Sequence, residues 1–247
     1  MSTPARVAPV RVALVGMGRM GHALEALAPE RGLEVVARLD VAEMQRGLTK
    51  DDLHGAQVAI EFTQPESAVA NAKACLALSC PVVVGTTGWL DRRAELEEAV
   101  RKSDCAALWS PNFSLGVQLF LAIAEDAGRR LRGADGFDAH IIETHHAAKQ
   151  DAPSGTGIAL AERVKQGLGA DVPITSVRVG KVPGTHEVIF DAAFEQIHLV
   201  HEARDRRVFA DGALTAARWL AMGRPAALYT MQDVIRGLPS STSETSA

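Results

Sequence analysis

Cysteine is scarce in this chain. Cys75, Cys80 and Cys105 are the only three in 247 residues, and no two stand at CxxC spacing. So odd and scattered a set excludes a disulfide framework or a cysteine-rich metal site, and predicts small buried thiols in a reducing compartment, the cytoplasm. Long apolar runs are missing as well: no stretch reaches the length that spans a bilayer, and Met1 to Pro9 lacks the apolar centre of a signal peptide. There is no basic excess either. The net charge of −4 argues against a general binder of nucleic acid or of membrane surfaces. The basic clusters Arg129-Arg130-Leu131-Arg132 and Arg204-Asp205-Arg206-Arg207 are therefore expected on helix faces and in turns, with contact to an anionic ligand the lesser expectation. What remains is the composition of an ordinary soluble globular protein, 47% hydrophobic and 23% charged, at a length that suits two domains. The Ser- and Thr-rich tail from Pro239 to Ala247 is expected to be disordered.

Val10-Arg-Val-Ala-Leu-Val15 has the pattern of a buried strand and runs straight into Gly16-Met17-Gly18-Arg19-Met20-Gly21, with a helix expected from His22 to about Pro29. The first glycine permits a tight turn, the second lets the backbone approach a pyrophosphate, and the third lets helix and strand pack closely. A second strand, Leu33 to Asp40, ends in an acid at the position where a carboxylate accepts from ribose hydroxyls. Together these predict dinucleotide binding. Asp40 repels a 2′-phosphate whereas Arg19 or Arg38 would welcome one, so NADH is favoured over NADPH.

Further strands are expected at Val58–Phe62, Pro81–Val84 and Ala106–Trp109, with helices from about Ser67 to Leu78 and from Asp91 to Lys102. Strands alternating with helices predict a parallel sheet whose strand ends line the ligand crevice. Gly85-Thr86-Thr87 and Ser110-Pro111-Asn112-Phe113 occupy such ends, as cofactor contacts or equally as turn and cap residues. After a linking helix from Leu115 to Leu131 the rhythm changes. Strands at Ile174–Val179, His186–Asp191 and Glu195–His201, with Val208–Ala210 as a short addition, predict an α+β second domain with an open mixed sheet. With few aromatics here to cover that sheet, a partner subunit is expected to do so. A final helix from Gly212 to Met222 and the segment from Met231 to Leu238 return to the first domain. The expected domains are 1–114 with 215–247, and 115–214.

The stretch from Glu143 to Thr156 gathers more ionisable and hydroxyl groups than any other and is read as the reaction centre. A strand, Phe137 to Ile142, leads into it, and a helix, Ile158 to Leu168, leads out. Pro153-Ser154-Gly155-Thr156 has the composition that opens a helix, whose free N–H groups attract an anion. His145 and His146 are adjacent, so in a continuing strand they face opposite ways and take different jobs. Lys149 adds a cation able to bind a carboxylate or supply a proton. Adjacent histidines with no Cys or third His nearby in sequence do not make a zinc site, so no metal is expected. His198 and His201 fall on opposite faces of one strand and read as packing or interface residues.

Taken together, these residues resemble the 4-hydroxy-tetrahydrodipicolinate reductase (dihydrodipicolinate reductase) family of lysine biosynthesis by the diaminopimelate route. The resemblance rests on Glu143-Thr-His-His-Ala-Ala-Lys149-Gln-Asp-Ala-Pro-Ser-Gly-Thr156. It extends in order through Gly18-Arg19-Met20-Gly21, Phe62-Thr63-Gln64-Pro65, Gly85-Thr86-Thr87-Gly88, Pro111-Asn112-Phe113-Ser114, Gly184-Thr-His186-Glu-Val188 and Phe209-Ala-Asp-Gly212-Ala. It implies a Rossmann-type doubly wound domain plus a substrate and tetramerisation domain. It also implies NAD(P)H-dependent reduction of a small dicarboxylate, a homotetramer, and no nucleic-acid or membrane partner. By resemblance His145 is the proton donor or acceptor and Lys149 a second donor, while His146, Gly155 and Thr156 bind substrate. Gly16 to Gly21, Asp40, Gly85 to Thr87 and Ser110 to Phe113 are the implied cofactor contacts. The chain departs from the pattern in a glycine loop one residue shorter than in many members. It also has Asp40 where Glu is common and Val41 where some members carry an arginine suited to a 2′-phosphate, which strengthens the NADH preference. The rival readings are another two-domain NAD(P)-dependent dehydrogenase of a small carboxylic acid, told apart by substrate, and a non-enzymatic NADH sensor, told apart by absence of turnover.

Overall fold

A computed structural model of the chain describes residues 8–134 and 136–238, so the tail expected to be disordered lies outside the described residues. Strand β1 (Val10–Val15) leads to α1 (Arg19–Leu27), β2 (Leu33–Leu39), α2 (Val41–Arg46), β3 (Val58–Glu61), α3 (Pro65–Ala77), β4 (Val82–Val84), α4 (Arg93–Lys102) and β5 (Ala107–Trp109). Then come α5 (Leu115–Leu131), β6 (Asp138–His145), α6 (Gly155–Leu168), β7 (Ile174–Arg178), β8 (Thr185–Ala192) and β9 (Glu195–Glu202). The chain finishes with α7 (Arg207–Leu220), β10 (Leu228–Tyr229) and α8 (Met231–Arg236). It divides into two compact units: one runs through Phe113 and resumes at Phe209, and the other is Ser114–Val208.

In the first unit the six strands stand in the order β2-β1-β3-β4-β5-β10, and every neighbouring pair is parallel. β3 and β4 are buried along their whole length, as expected of a sheet covered on both faces. The strand order reverses at β1, so the switch point lies between the carboxyl ends of β1 and β3, where doubly wound sheets bind their ligands. Cys75, Cys80 and Cys105 are free and buried, and Cys75 and Cys80 pack in the core beside Val82 and Val84. Among the described residues no helix is long and apolar enough to cross a membrane.

Two local expectations need correction, and one short helix was not anticipated. The helix after the glycine loop begins at Arg19, not His22, with Gly18 as its N-cap. The residues after Asp40 form a helix, because Asp40 and Glu43 make a reciprocal capping box. Val208–Ala210 is not a strand but the first turn of α7. Its β-branched and aromatic residues favour a strand, yet buried Ala210, Ala213, Leu214, Ala217 and Leu220 keep helical period, and that longer pattern prevails. The two-residue β10 is too short to register as a pattern.

The second unit holds a four-stranded sheet in the order β7-β6-β8-β9. β6 pairs parallel with β7 and antiparallel with β8, which pairs antiparallel with β9. α5 and α6 cover one face through Phe120, Leu121, Leu160 and Val164, packed with Ile141, Val188 and Phe190. The two helices approach through glycine: a Cβ on Gly167 would overlap the Glu125 carbonyl oxygen, and one on Gly128 would lie 3.1 Å from the Val164 carbonyl oxygen. We therefore expect Gly167→Ala to destabilise the chain by about 1–3 kcal/mol, despite a helix-propensity gain of about 1 kcal/mol. Urea unfolding checks this, and an unchanged or raised midpoint would show that the helices have room to spare.

Candidate active site

β6 does not stop at Ile142 but carries on through His145. Ile141, Glu143 and His145 alternate onto its buried face, as period-two geometry requires, and His146 leaves the strand. The two histidines accordingly diverge. The His145 Nδ1 bonds to the Glu143 Oε2, while the His146 Nε2 accepts from the Arg206 guanidinium at 2.6 Å.

Glu143 is fully buried, and each of its oxygens is matched. Oε1 takes Arg178 at 2.7 Å and the Ser154 N–H at 3.3 Å, and Oε2 takes His145. Burial pushes this carboxyl up, but Arg178, Ser176 and His145 outweigh it and hold it down to about 2. An ionised Glu143 fixes the Nδ1–H tautomer of His145 and leaves Nε2 to exchange a proton with a substrate. Gly184 keeps the space beside that atom open, since a Cβ there would sit 3.0 Å from Nε2. Arg178 also donates to the Asp151 carbonyl at 2.6 Å, tying the loop to the sheet.

Sheet register sets His186 opposite Glu143 and His201 opposite His186. The His186 ring lies edge-on to His145 at 5.1 Å between centroids. Ser154 accepts from the Gly157 N–H at 3.0 Å, so its own hydrogen is available to the His186 Nε2 at 3.2 Å. The His186 Nδ1 is buried without a partner among the described residues. The fold thus supplies the third histidine that the linear sequence around His145 lacks. Ligand-type atoms of Glu143, His145 and His186 lie within 4.8 Å of one another, but the charge on this carboxylate is already met by Arg178.

Lys149 is half-buried and paired with Asp151 at 2.6 Å, an ion pair that, with the Gly155 N–H, lowers the Asp151 carboxyl. Asp151 therefore sits at the N-terminus of α6, where Gly155 is exposed and a Cβ would meet nothing within 4 Å. Ser154 supplies the cap through the Gly157 N–H. Beside the loop lies a cavity of about 560 Å³, lined by His146, Lys181, Pro183, Arg204, Asp205 and Arg206 among others. Its cations outnumber its acid, so the second basic cluster does border a space suited to an anion.

In the first unit, Gly16 has φ +93° and a Cβ on it would overlap the Phe62 carbonyl oxygen, while a Cβ on Gly21 would overlap the Gly16 carbonyl oxygen. Gly18 is exposed, with open space where a Cβ would stand, and α1 starts there without a side-chain cap. Such a bare helix start fits a pyrophosphate. Met17, Arg19 and Met20 flank it. Asp40 is exposed and accepts from the Val41 N–H at 3.0 Å, and Arg38 is committed to Glu25 at 2.5 Å. Thr87 is exposed and Pro111 likewise, but the Thr86 hydroxyl is turned inward to Glu61. Ser110 donates to the Asn112 carbonyl at 2.7 Å, and the Phe113 ring is buried against Phe62.

Family models for the dihydrodipicolinate reductase N-terminus and C-terminus match residues 10–113 and 116–235. The chain belongs to the dihydrodipicolinate reductase family. It is 35% identical to a 4-hydroxy-tetrahydrodipicolinate reductase of Christiangramia forsetii, over 93% of this chain and 99% of that one. It is 38% identical to the enzyme so named in Gluconobacter oxydans, over 92% and 97%. Among solved structures, a dipicolinate-bound dihydrodipicolinate reductase from Paenisporosarcina sp. TG-14 shares the fold, with TM-score 0.74 and 22% identity over 90% of this chain and 97% of that one.

For this family member the sequence pointed to His145, His146, Lys149, Gly155 and Thr156, and to Ser154 as part of the helix cap, but gave no individual role to Glu143, Arg178, His186, Gly184 or Arg206. Glu143 could have been found, because it stands two residues before His145 on a strand. The others come from segments distant in sequence: Gly184 and His186 were visible only within a family motif and Arg206 only within a basic cluster, and nothing local tied any of them, or Arg178, to His145 and His146.

Burial lowers His145 and His201 and takes His186 down to about 4. A histidine held neutral when folded contributes stability that is complete above its unfolded value of 6.5 and is lost as pH falls toward about 4. For His186 alone this is about 3 kcal/mol; Glu143 acts in a lower window, below 4.5. The denaturation midpoint should fall between pH 6.5 and 4.5, and His186→Gln should flatten that fall. A midpoint independent of pH in this range would mean that the ring is already protonated or exposed.

Proposed function

We propose that this chain reduces 4-hydroxy-tetrahydrodipicolinate to tetrahydrodipicolinate with NAD(P)H, in the diaminopimelate route to lysine. The observation that carries the reading is a buried, carboxylate-oriented His145 at the end of β6, followed by the loop that bears Lys149 and by an α6 N-terminus suited to an anion. The substrate is a cyclic, conjugated, imine-type dicarboxylate. Loss of water from the hydroxylated ring, as hydroxide and a proton from the adjacent carbon, completes that conjugation, and NAD(P)H, when bound, would supply a hydride to it. Electron density then builds on a neighbouring ring carbon, which takes a proton from His145 or Lys149.

Asp151 marks where one substrate carboxylate binds, because it holds the donors such a group would take, Lys149 and the Gly155 N–H. His146 with Arg206 and the cations of the adjoining cavity suit an anionic substrate. Glu143 and His145 act as a hydrogen-bonded pair with the His186 ring packed edge-on beside it rather than as a metal site, since Arg178 neutralises the carboxylate. NADH is the preferred cofactor: Asp40 repels a 2′-phosphate, and Arg38 is engaged by Glu25. The sheet face away from α5 and α6 carries Val177 and Val200, 36% and 57% exposed. That apolar exposure, with polar pairs such as His198 and Glu187 beside it, supports homotetramer formation through this sheet. The buried free thiols suit the cytoplasm.

Substrate can be generated by condensing pyruvate with aspartate semialdehyde, and oxidation of NADH and NADPH followed by absorbance. We expect rapid substrate-dependent oxidation, faster with NADH. Lys149→Ala should lower turnover about 100-fold or more while NADH binding is kept; turnover within a few-fold of wild type would remove Lys149 from the proton-transfer role.

A further inference from the structure

A second fully buried carboxyl, Glu61, closes β3 at the switch point of the first unit. Its backbone carbonyl accepts from the Gly85 N–H at 2.8 Å. Its side-chain Oε1 accepts from the hydroxyls of Thr63 and, at 3.1 Å, Thr86. Thr86 Oγ1 accepts from the Thr63 N–H at 2.7 Å and donates to Glu61, while Thr63 Oγ1 accepts from Asn71 at 3.1 Å and also lies 2.9 Å from the Ser67 hydroxyl. Thr63 in turn supports the glycine turn, because its Cγ2 lies 2.7 Å from where a Gly16 Cβ would be. One carboxyl oxygen thus connects the loops after β1, β3 and β4.

We propose that Glu61 is a positioning residue for the dinucleotide, which acts as a neutral acceptor and holds the Gly16, Thr63 and Thr86 loops in the spacing that binds the cofactor. The inference rests on the reading of the first unit as the dinucleotide-binding domain. Among the described residues no cation is paired with Glu61, in contrast to Glu143, and burial pushes its carboxyl up. Oε2 is buried without a partner among the described residues, the place for the proton of a neutral acid. A glutamine reproduces that acceptor and that uncharged group, whereas alanine leaves two hydroxyls unmatched.

The test titrates NADH into wild type, Glu61→Gln and Glu61→Ala by fluorescence, with dipicolinate binding and full kinetics on the same preparations. Expected are near-wild-type NADH affinity for Glu61→Gln and a loss of about tenfold or more for Glu61→Ala, the size of effect that unmatched buried hydroxyls imply. KM for NADH should rise in Glu61→Ala while kcat at saturating NADH and dipicolinate affinity change little. Unchanged NADH affinity in Glu61→Ala overturns the proposal, and so does an equal loss in Glu61→Gln, which would require the ionised carboxylate. If Glu61→Ala does not fold, Thr63→Val removes one donor at constant shape and should weaken NADH in the same direction; no weakening overturns the proposal. Wild type that binds neither NADH nor NADPH would instead refute the dinucleotide reading itself.

Discussion

The ion pair between Glu143 and Arg178 is the constraint on which the second unit's chemistry depends. Removing one partner of such a buried pair typically costs roughly 3–5 kcal/mol, because the other charge is left unmatched. Here the consequence is also chemical. Arg178 keeps Glu143 ionised, ionised Glu143 orients His145, and the same guanidinium fastens the loop at Asp151. Orientation of the ring, position of the loop and proximity of Lys149 are thus set by a few charge-assisted bonds, stronger and more directional than neutral ones.

The two buried glutamates show how environment assigns opposite properties to one side chain. Glu143 meets a cation and is held down to about 2. Glu61 meets neutral groups, the hydroxyls of Thr63 and Thr86, and burial pushes it up. Each lies at or near the carboxyl end of its strand, under loops that carry other polar groups. In the second unit the result is a fixed negative charge that tunes a histidine; in the first it is an uncharged anchor beneath backbone loops, suited to a site that must accept an anionic pyrophosphate without a buried negative charge beneath it.

Much of this was legible in the sequence. The Val10–Val15 strand and Gly16–Gly21 turn announced themselves through strong periodicity followed by residues with special backbone freedom, and the mixed sheet of the second unit followed from strands without intervening helices. The reaction loop was legible because its polar groups are contiguous. Val208–Ala210 misled because three residues of strand-like composition are a weaker signal than the helical period of the fourteen-residue α7 that contains them. The short helix after Asp40 went unseen because Asp40 was assigned only as a ribose contact, whereas with Glu43 it forms a capping box.

By itself the sequence determined most of the strands and helices, the glycine turn with its acid at the end of the second strand, and the identity of the stretch that bears His145 and Lys149. Those properties are local, written in spacing of two or 3.6 residues and in turn chemistry. Only the tertiary structure decided that Arg178 and His186 meet Glu143, that Arg206 meets His146, and that Thr63 and Thr86 share Glu61. Such contacts depend on strand register and on crossovers between distant segments, and register is fixed by how whole faces bury their apolar residues, not by any short stretch of chain.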